Sequence, residues 1–128
     1  MSTTTTPFNP VIWFEVPVAD LARAKTFYEN TFGTELSISE MGPAKMAFFK
    51  GDHAQAGAMG ALVQSEGYTP ATTGSMVYFS VSDIEKTLEQ ATAAGATVTQ
   101  PKTSIGEHGF IATFTDCEGN RVALHSTN

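Results

Sequence analysis

Apolar and polar positions alternate over Val11–Pro17. Val11, Trp13, Glu15 and Pro17 fall on one face, and Ile12, Phe14 and Val16 on the other. Both faces carry apolar bulk, so the pattern predicts a strand covered on both sides. The period then changes. Asp20 stands at a helix N-cap position, and Leu21, Ala24, Phe27 and Tyr28 recur at helical spacing up to the stop at Gly33. Three further strands are predicted at Glu35–Ser39, Lys45–Lys50 and Gly57–Gln64, with turn residues between them at Met41-Gly42-Pro43 and Gly51-Asp52.

The plan then repeats. After the polar, Gly-, Pro- and Thr-containing stretch Ser65–Ser75, a strand is predicted at Met76–Val81. Ser82-x-x-Glu85 reads as a capping box for a second helix, whose inner stripe is Ile84, Leu88 and Ala91 and whose stop is Gly95. Strands follow near Thr97–Gln100, Phe110–Thr115 and Val122–His125. Val18-Ala19-Asp20-Leu21 matches Val81-Ser82-Asp83-Ile84 at a shift of 63 residues, about half the chain. The expected fold is α+β: two βαβββ modules, about 10–65 and 75–126, forming a curved mixed sheet around a cleft. Residues 1–9 are expected to be a flexible lead-in to this single domain.

Composition narrows the function. The 128 residues suit one compact unit, and 10% aromatic residues suffice for a packed interior. No apolar run approaches a membrane span, and the first ten residues lack the basic and apolar regions of a signal peptide, so a cytoplasmic location is expected. The net charge is −6 and the seven Lys and Arg residues form no basic stripe, which argues against nucleic acid as a partner. Cys117 is the only cysteine, so this sequence forms no internal disulfide and no Cys-based zinc cluster. It lies between Asp116 and Glu118, which would raise its pKa and make it a poor nucleophile.

The duplicated βαβββ plan carries several recognisable stretches. These are Val18-Ala19-Asp20-Leu21 leading to Phe27-Tyr28 and Phe32-Gly33, the second Val81-Ser82-Asp83, and Phe114-Thr115-Asp116-Cys117-Glu118-Gly119-Asn120. In this order the chain resembles the glyoxalase, bleomycin-resistance and extradiol dioxygenase superfamily, also called vicinal oxygen chelate proteins. Within it the chain is similar to small bacterial proteins related to lactoylglutathione lyase. Trp13-Phe14-Glu15 in the first strand and the loop Gly106-Glu107-His108-Gly109-Phe110 carry that likeness.

The resemblance implies a place for a divalent ion, held in metal-dependent members by His, Glu or Gln from four strands. The matching positions here are Trp13, Met76 and Ala123. The fourth falls within Gly57–Val63, which contains no His, Asp, Glu or Gln. These side chains lack the donors that such a cation requires, so no metal and no cofactor are expected. Glyoxalase I and dioxygenase chemistry, which use that ion, are put in doubt.

If those positions face the cleft, alternation brings Glu15, Tyr78 and His125 to the same side. Glu15 is either an acid–base group or a residue paired with Arg121, a lysine or a backbone donor. His125 could bind ligand or move a proton. His108 lies in a glycine-flanked loop suited to a lid, and His53 in a turn. Trp13, Phe48, Met59, Met76 and Tyr78 could line an apolar pocket. Three readings stay open: a metal-free protein binding a small, partly apolar molecule; an enzyme, either a lyase or isomerase using Glu15 or a metalloenzyme rearranged around Glu15, His108 and His125; and a structural or regulatory module with no ligand. The resemblance implies a homodimer. No nucleotide-binding or Ser-nucleophile motif is present.

Overall fold

A computed structural model describes residues 9–128; the lead-in expected over 1–9 therefore lies, except for Asn9, outside the described residues. The elements are β1 (Trp13–Pro17), α1 (Leu21–Phe32), β2 (Leu36–Met41), β3 (Ala44–Phe49) and β4 (Met59–Gln64), then β5 (Val77–Ser80), α2 (Ile84–Ala93), β6 (Thr97–Ser104), β7 (Phe110–Thr115) and β8 (Arg121–Ser126). Each half is βαβββ. The first half forms a four-stranded sheet in the order β1-β4-β3-β2, the second one in the order β5-β8-β7-β6. In both, the first strand runs parallel to the last while the other pairs are antiparallel. The repeat read from the sequence is thus a repeat of topology.

Local chemistry accounts for the element ends. Asp20 is extended and its carboxylate accepts from the Arg23 N–H, as a good N-cap does; Gly33 ends α1 at φ +64, where a Cβ would be strained. The second helix differs from expectation. Its cap is Asp83, one residue beyond Ser82, and the Asp83 carboxylate accepts from the Lys86 N–H. Aspartate outcompetes the neighbouring serine here by placing a charged acceptor at the positive end of the helix. β1 starts at Trp13 because Val11 and Ile12 are exposed and unpaired. β6 runs on to Ser104, past Pro101, through two register irregularities that an edge strand tolerates.

One apolar core joins the modules. It contains Val16, Tyr28 and Leu62 from the first half and Ile84, Phe114 and Leu124 from the second. Aromatic rings dominate its centre: Phe14 meets Phe79 edge-on at 5.6 Å, Phe32 lies 4.7 Å from Phe79, and Tyr28 meets Phe49 at 5.6 Å. Such pairs add about 0.5–1.5 kcal/mol each beyond their burial. Phe14 reaches this position because its β4 neighbour is Gly60, where a Cβ would come within 2.5 Å of the Phe14 ring and carbonyl.

Helix α1 buries Leu21, Ala24, Phe27, Tyr28 and Thr31. Helix α2 buries Ile84, Thr87 and Ala91, with Leu88 only partly covered. The sheet faces turned away from the helices are the ones that carry the candidate residues.

Candidate functional site

On the first sheet, register pairs Trp13 with Met59, Glu15 with Ala61 and Pro17 with Val63. Those six residues share the face opposite the core, together with Met46 and Phe48 of β3. Ala61 and Val63 are fully covered there, whereas Trp13 remains 37% exposed and meets Phe48 edge-on at 5.7 Å. The fourth-strand side chains beside Trp13 are therefore a thioether and two aliphatic groups.

Glu15 is held by two donors. Trp13 Nε1 donates to one oxygen at 3.3 Å, and the Tyr68 hydroxyl donates to the other at 3.0 Å. Neither Arg121 nor a lysine is its partner: Arg121 Nη2 donates to the Gly74 carbonyl instead. The hydrogen bond that Tyr68 donates to Glu15, and then the Glu15 charge, raise the Tyr68 pKa, since both disfavour the phenolate. Tyr68 was not a candidate on sequence grounds. It lies in the polar connection 65–75, where no periodicity assigns a face, and only the fold carries it over β1.

On the second sheet, Tyr78 pairs with Ala123 and Ser80 with His125, so these four share a face with Ile111 and Thr113 of β7. Tyr78 is 50% exposed and Ala123 is buried; Met76 sits just ahead of β5, half-buried. His125 Nε2 lies 2.6 Å from the His108 carbonyl. A carbonyl only accepts, so Nε2 carries the proton and Nδ1 is the free ring nitrogen. His108 thus meets His125 through its backbone. Its own side chain is 77% exposed, with Glu107 the nearest acid at 3.9 Å. His53 is exposed in the β3–β4 connection.

The candidates therefore fall into two groups, Trp13–Glu15–Phe48–Met59 on one sheet and Met76–Tyr78–His108–His125 on the other. Among the described residues, no hydrogen bond or aromatic contact joins the two groups, and no three His, Cys, Asp or Glu side chains are placed to hold one ion. Glu15 lines a cavity of about 230 Å³ between β1 and β5, roofed by Thr69, Ala71 and Thr73 and reached by Arg121.

The stretch Phe114–Asn120 locks the modules together. Buried Asp116 accepts from the Tyr28 hydroxyl, and from the backbone N–H of Glu118 and Asn120 at 2.8 Å each. Burial, then the Asp116 charge, hold the Tyr28 pKa well above its ordinary value. The Glu118 carboxylate, fully covered, accepts from the backbone N–H of Ala19 and Asp20 and pairs with Arg23. Asn120 donates to the Pro17 carbonyl at 2.7 Å. Burial first, then these acids, push the Cys117 thiol up to about 11, so it is protonated and unreactive near neutrality.

Comparison with known proteins agrees with this architecture. Residues 11–124 match the family described as Glyoxalase/Bleomycin resistance protein/Dioxygenase superfamily. A "Glyoxylase-like domain-containing protein" from Didymella fabae is 31% identical over 119 residues, covering 86% of this chain and 88% of the relative. The chain belongs to that superfamily. Among solved structures, a glyoxalase/bleomycin resistance protein from Albidiferax ferrireducens T118 superposes with a TM-score of 0.72 at 16% identity, covering 94% of this chain and all of the other. Glyoxalase I from Zea mays gives 0.68 at 21% identity over 92% of this chain, which spans only 46% of the maize protein. Both likenesses concern the fold. Among the described residues no helix is long and apolar enough to cross a membrane.

Proposed function

We propose that this chain is a metal-free member of the superfamily that binds a small, partly apolar molecule on the sheet faces opposite its core. The observation that carries this reading is the chemistry of the positions where metal-dependent members place ligands. Trp13, Met76 and Ala123 occupy three of them, and the fourth-strand face beside Trp13 offers only Met59, Ala61 and Val63. An indole, two thioethers and aliphatic side chains do not fit a hard or borderline cation. They do suit an apolar guest, with Glu15, Tyr78 and the free His125 nitrogen as polar contacts.

Each face taken alone is open: Trp13 and Tyr78 keep 37% and 50% of their surface. This supports a homodimer in which the first sheet of one protomer and the second sheet of its partner close a shared cleft. Light scattering on the eluted protein tests the dimer. Elemental analysis of the purified chain, followed by calorimetric titration with Ni²⁺, Zn²⁺, Mn²⁺ and Fe²⁺, tests the metal-free reading. No heat of binding is expected; tight, stoichiometric binding would overturn it.

A second reading, a lyase or isomerase, draws on the orientation of Glu15. Two donors fix its carboxylate on an exposed face, as a general base needs. Once a ligand is found, Glu15→Gln separates the two readings. Binding retained with turnover lost supports the enzyme; no turnover in the unmodified chain supports the binding protein.

A further inference from the structure

The repeat is imperfect at the starts of the two helices. In the second half, the short turn 116–120 between β7 and β8 packs at the start of α1, and its Glu118 carboxylate engages Ala19, Asp20 and Arg23. The 63-residue shift maps those three onto Ser82, Asp83 and Lys86 at the start of α2. The first-half connection that should reach them, residues 50–58, is longer and carries no carboxylate to them. A cavity of about 540 Å³ lies there instead, lined on one side by Ser82, Asp83 and Lys86 and on the other by Lys50 and Gly51. Its floor is Phe14, Phe49 and Phe79.

The same shift explains the space. Phe27 and Tyr28, which fill the α1 junction, correspond to Gln90 and Ala91 on α2. Among the described residues, the backbone N–H groups of Ser82 and Asp83 make no hydrogen bond and Lys86 has no acidic partner. The Asp83 carboxylate is no obstacle, since its counterpart Asp20 caps α1 with Glu118 in place.

We propose that this cavity, which borders the two sheet faces only at Met59 and Ser80, is a second ligand site for an organic carboxylate with an aromatic or branched apolar body. The carboxylate takes the place at Ser82, Asp83 and Lys86 that Glu118 holds at Ala19, Asp20 and Arg23. The body rests on the three phenylalanines. The protein thus supplies its own template for the anion, and Gln90 in place of the Phe27 ring leaves room for the rest of the molecule.

The probes are 3-phenylpropionate and its neutral amide, titrated into the ¹⁵N-labelled full chain and followed by amide shifts. Saturable shifts at Ser82, Asp83 and Lys86 are expected with the acid at millimolar concentration, with the amide about ten-fold weaker, the worth of a charged hydrogen bond. Lys86→Gln, at an exposed position, is expected to weaken the acid about five-fold and leave the amide unchanged. Gln90→Phe, which restores the ring found at Phe27, is expected to abolish binding of both. Absence of saturable shifts, equal binding of acid and amide, or shifts confined to the Trp13 and Tyr78 faces would each overturn the proposal.

Discussion

The two helices begin in the same way and are finished differently. Each follows a first strand, and each is capped by an aspartate that accepts from the backbone three residues on. At α1 the cap is then sealed by a second carboxylate from the other module, by a buried tyrosine–aspartate bond and by an asparagine on the strand end. At α2 there is a cavity. A duplicated unit needs only one such lock to fix its halves against each other. The other junction is relieved of that role, and its residues are free to meet something else.

Breaking the lock should have the largest effect. Asp116→Ala leaves the Tyr28 hydroxyl and the N–H groups of Glu118 and Asn120 without their acceptor in a buried place. A loss of about 3 kcal/mol is expected. Thermal unfolding would read this as a fall of about 12 °C. A fall within the range of a surface substitution would mean that the modules are held by the aromatic core alone.

Tyr28→Phe removes one bond and keeps the ring, so a smaller loss of about 1–2 kcal/mol is expected in urea unfolding. It also has a pH signature. The folded pKa of Tyr28 is raised well above the ordinary 10.0, so the neutral phenol contributes its full share below about pH 10. That share is lost as pH rises from there towards the folded value. The unmodified chain should therefore lose stability above pH 10 more steeply than the phenylalanine variant; parallel curves would remove Tyr28 from the lock.

Glu118→Ala comes next, at about 1–2 kcal/mol, because two backbone N–H groups at the start of α1 lose their acceptor. Hydrogen exchange at Ala19 and Asp20 should accelerate while exchange at Ser82 and Asp83 stays unchanged. Acceleration at both ends would mean that the two junctions unfold together.

The repeat and its strand–helix order were legible in the sequence because each depends on local period and caps. Leu21, Ala24, Phe27 and Tyr28 all proved buried, and β7 fell where alternation put it. Element ends were less legible. Asp83 displaced Ser82 as a cap, and β6 continued through Pro101, since edge position is set by the other strands. The grouping of candidates was legible only within a sheet. Alternation correctly put Trp13 with Glu15 and Tyr78 with His125 on common faces, but it carries no information about Tyr68, which arrives from a polar connection to hold Glu15. Nor could it show that His108 would meet His125 through a carbonyl. The cavity beside α2 came from what is missing relative to the other half, which a reading of one element at a time does not reveal.

The smallest expected effect is the sharpest test of the asymmetry. Lys86 is the counterpart of Arg23, exposed and without an acidic partner among the described residues. Its side chain therefore has nothing to lose on truncation beyond a weak interaction with solvent and its own helix end. A cation in the first turn opposes the helix dipole slightly, so Lys86→Ala is expected to leave stability within about 0.5 kcal/mol, with any shift towards gain. The same truncation at Arg23 removes the partner of a covered carboxylate and should be clearly destabilising in the same urea titration. If the two variants instead unfold at matching denaturant concentrations, the lock does not run through Glu118, and the two ends of the repeat are equivalent after all.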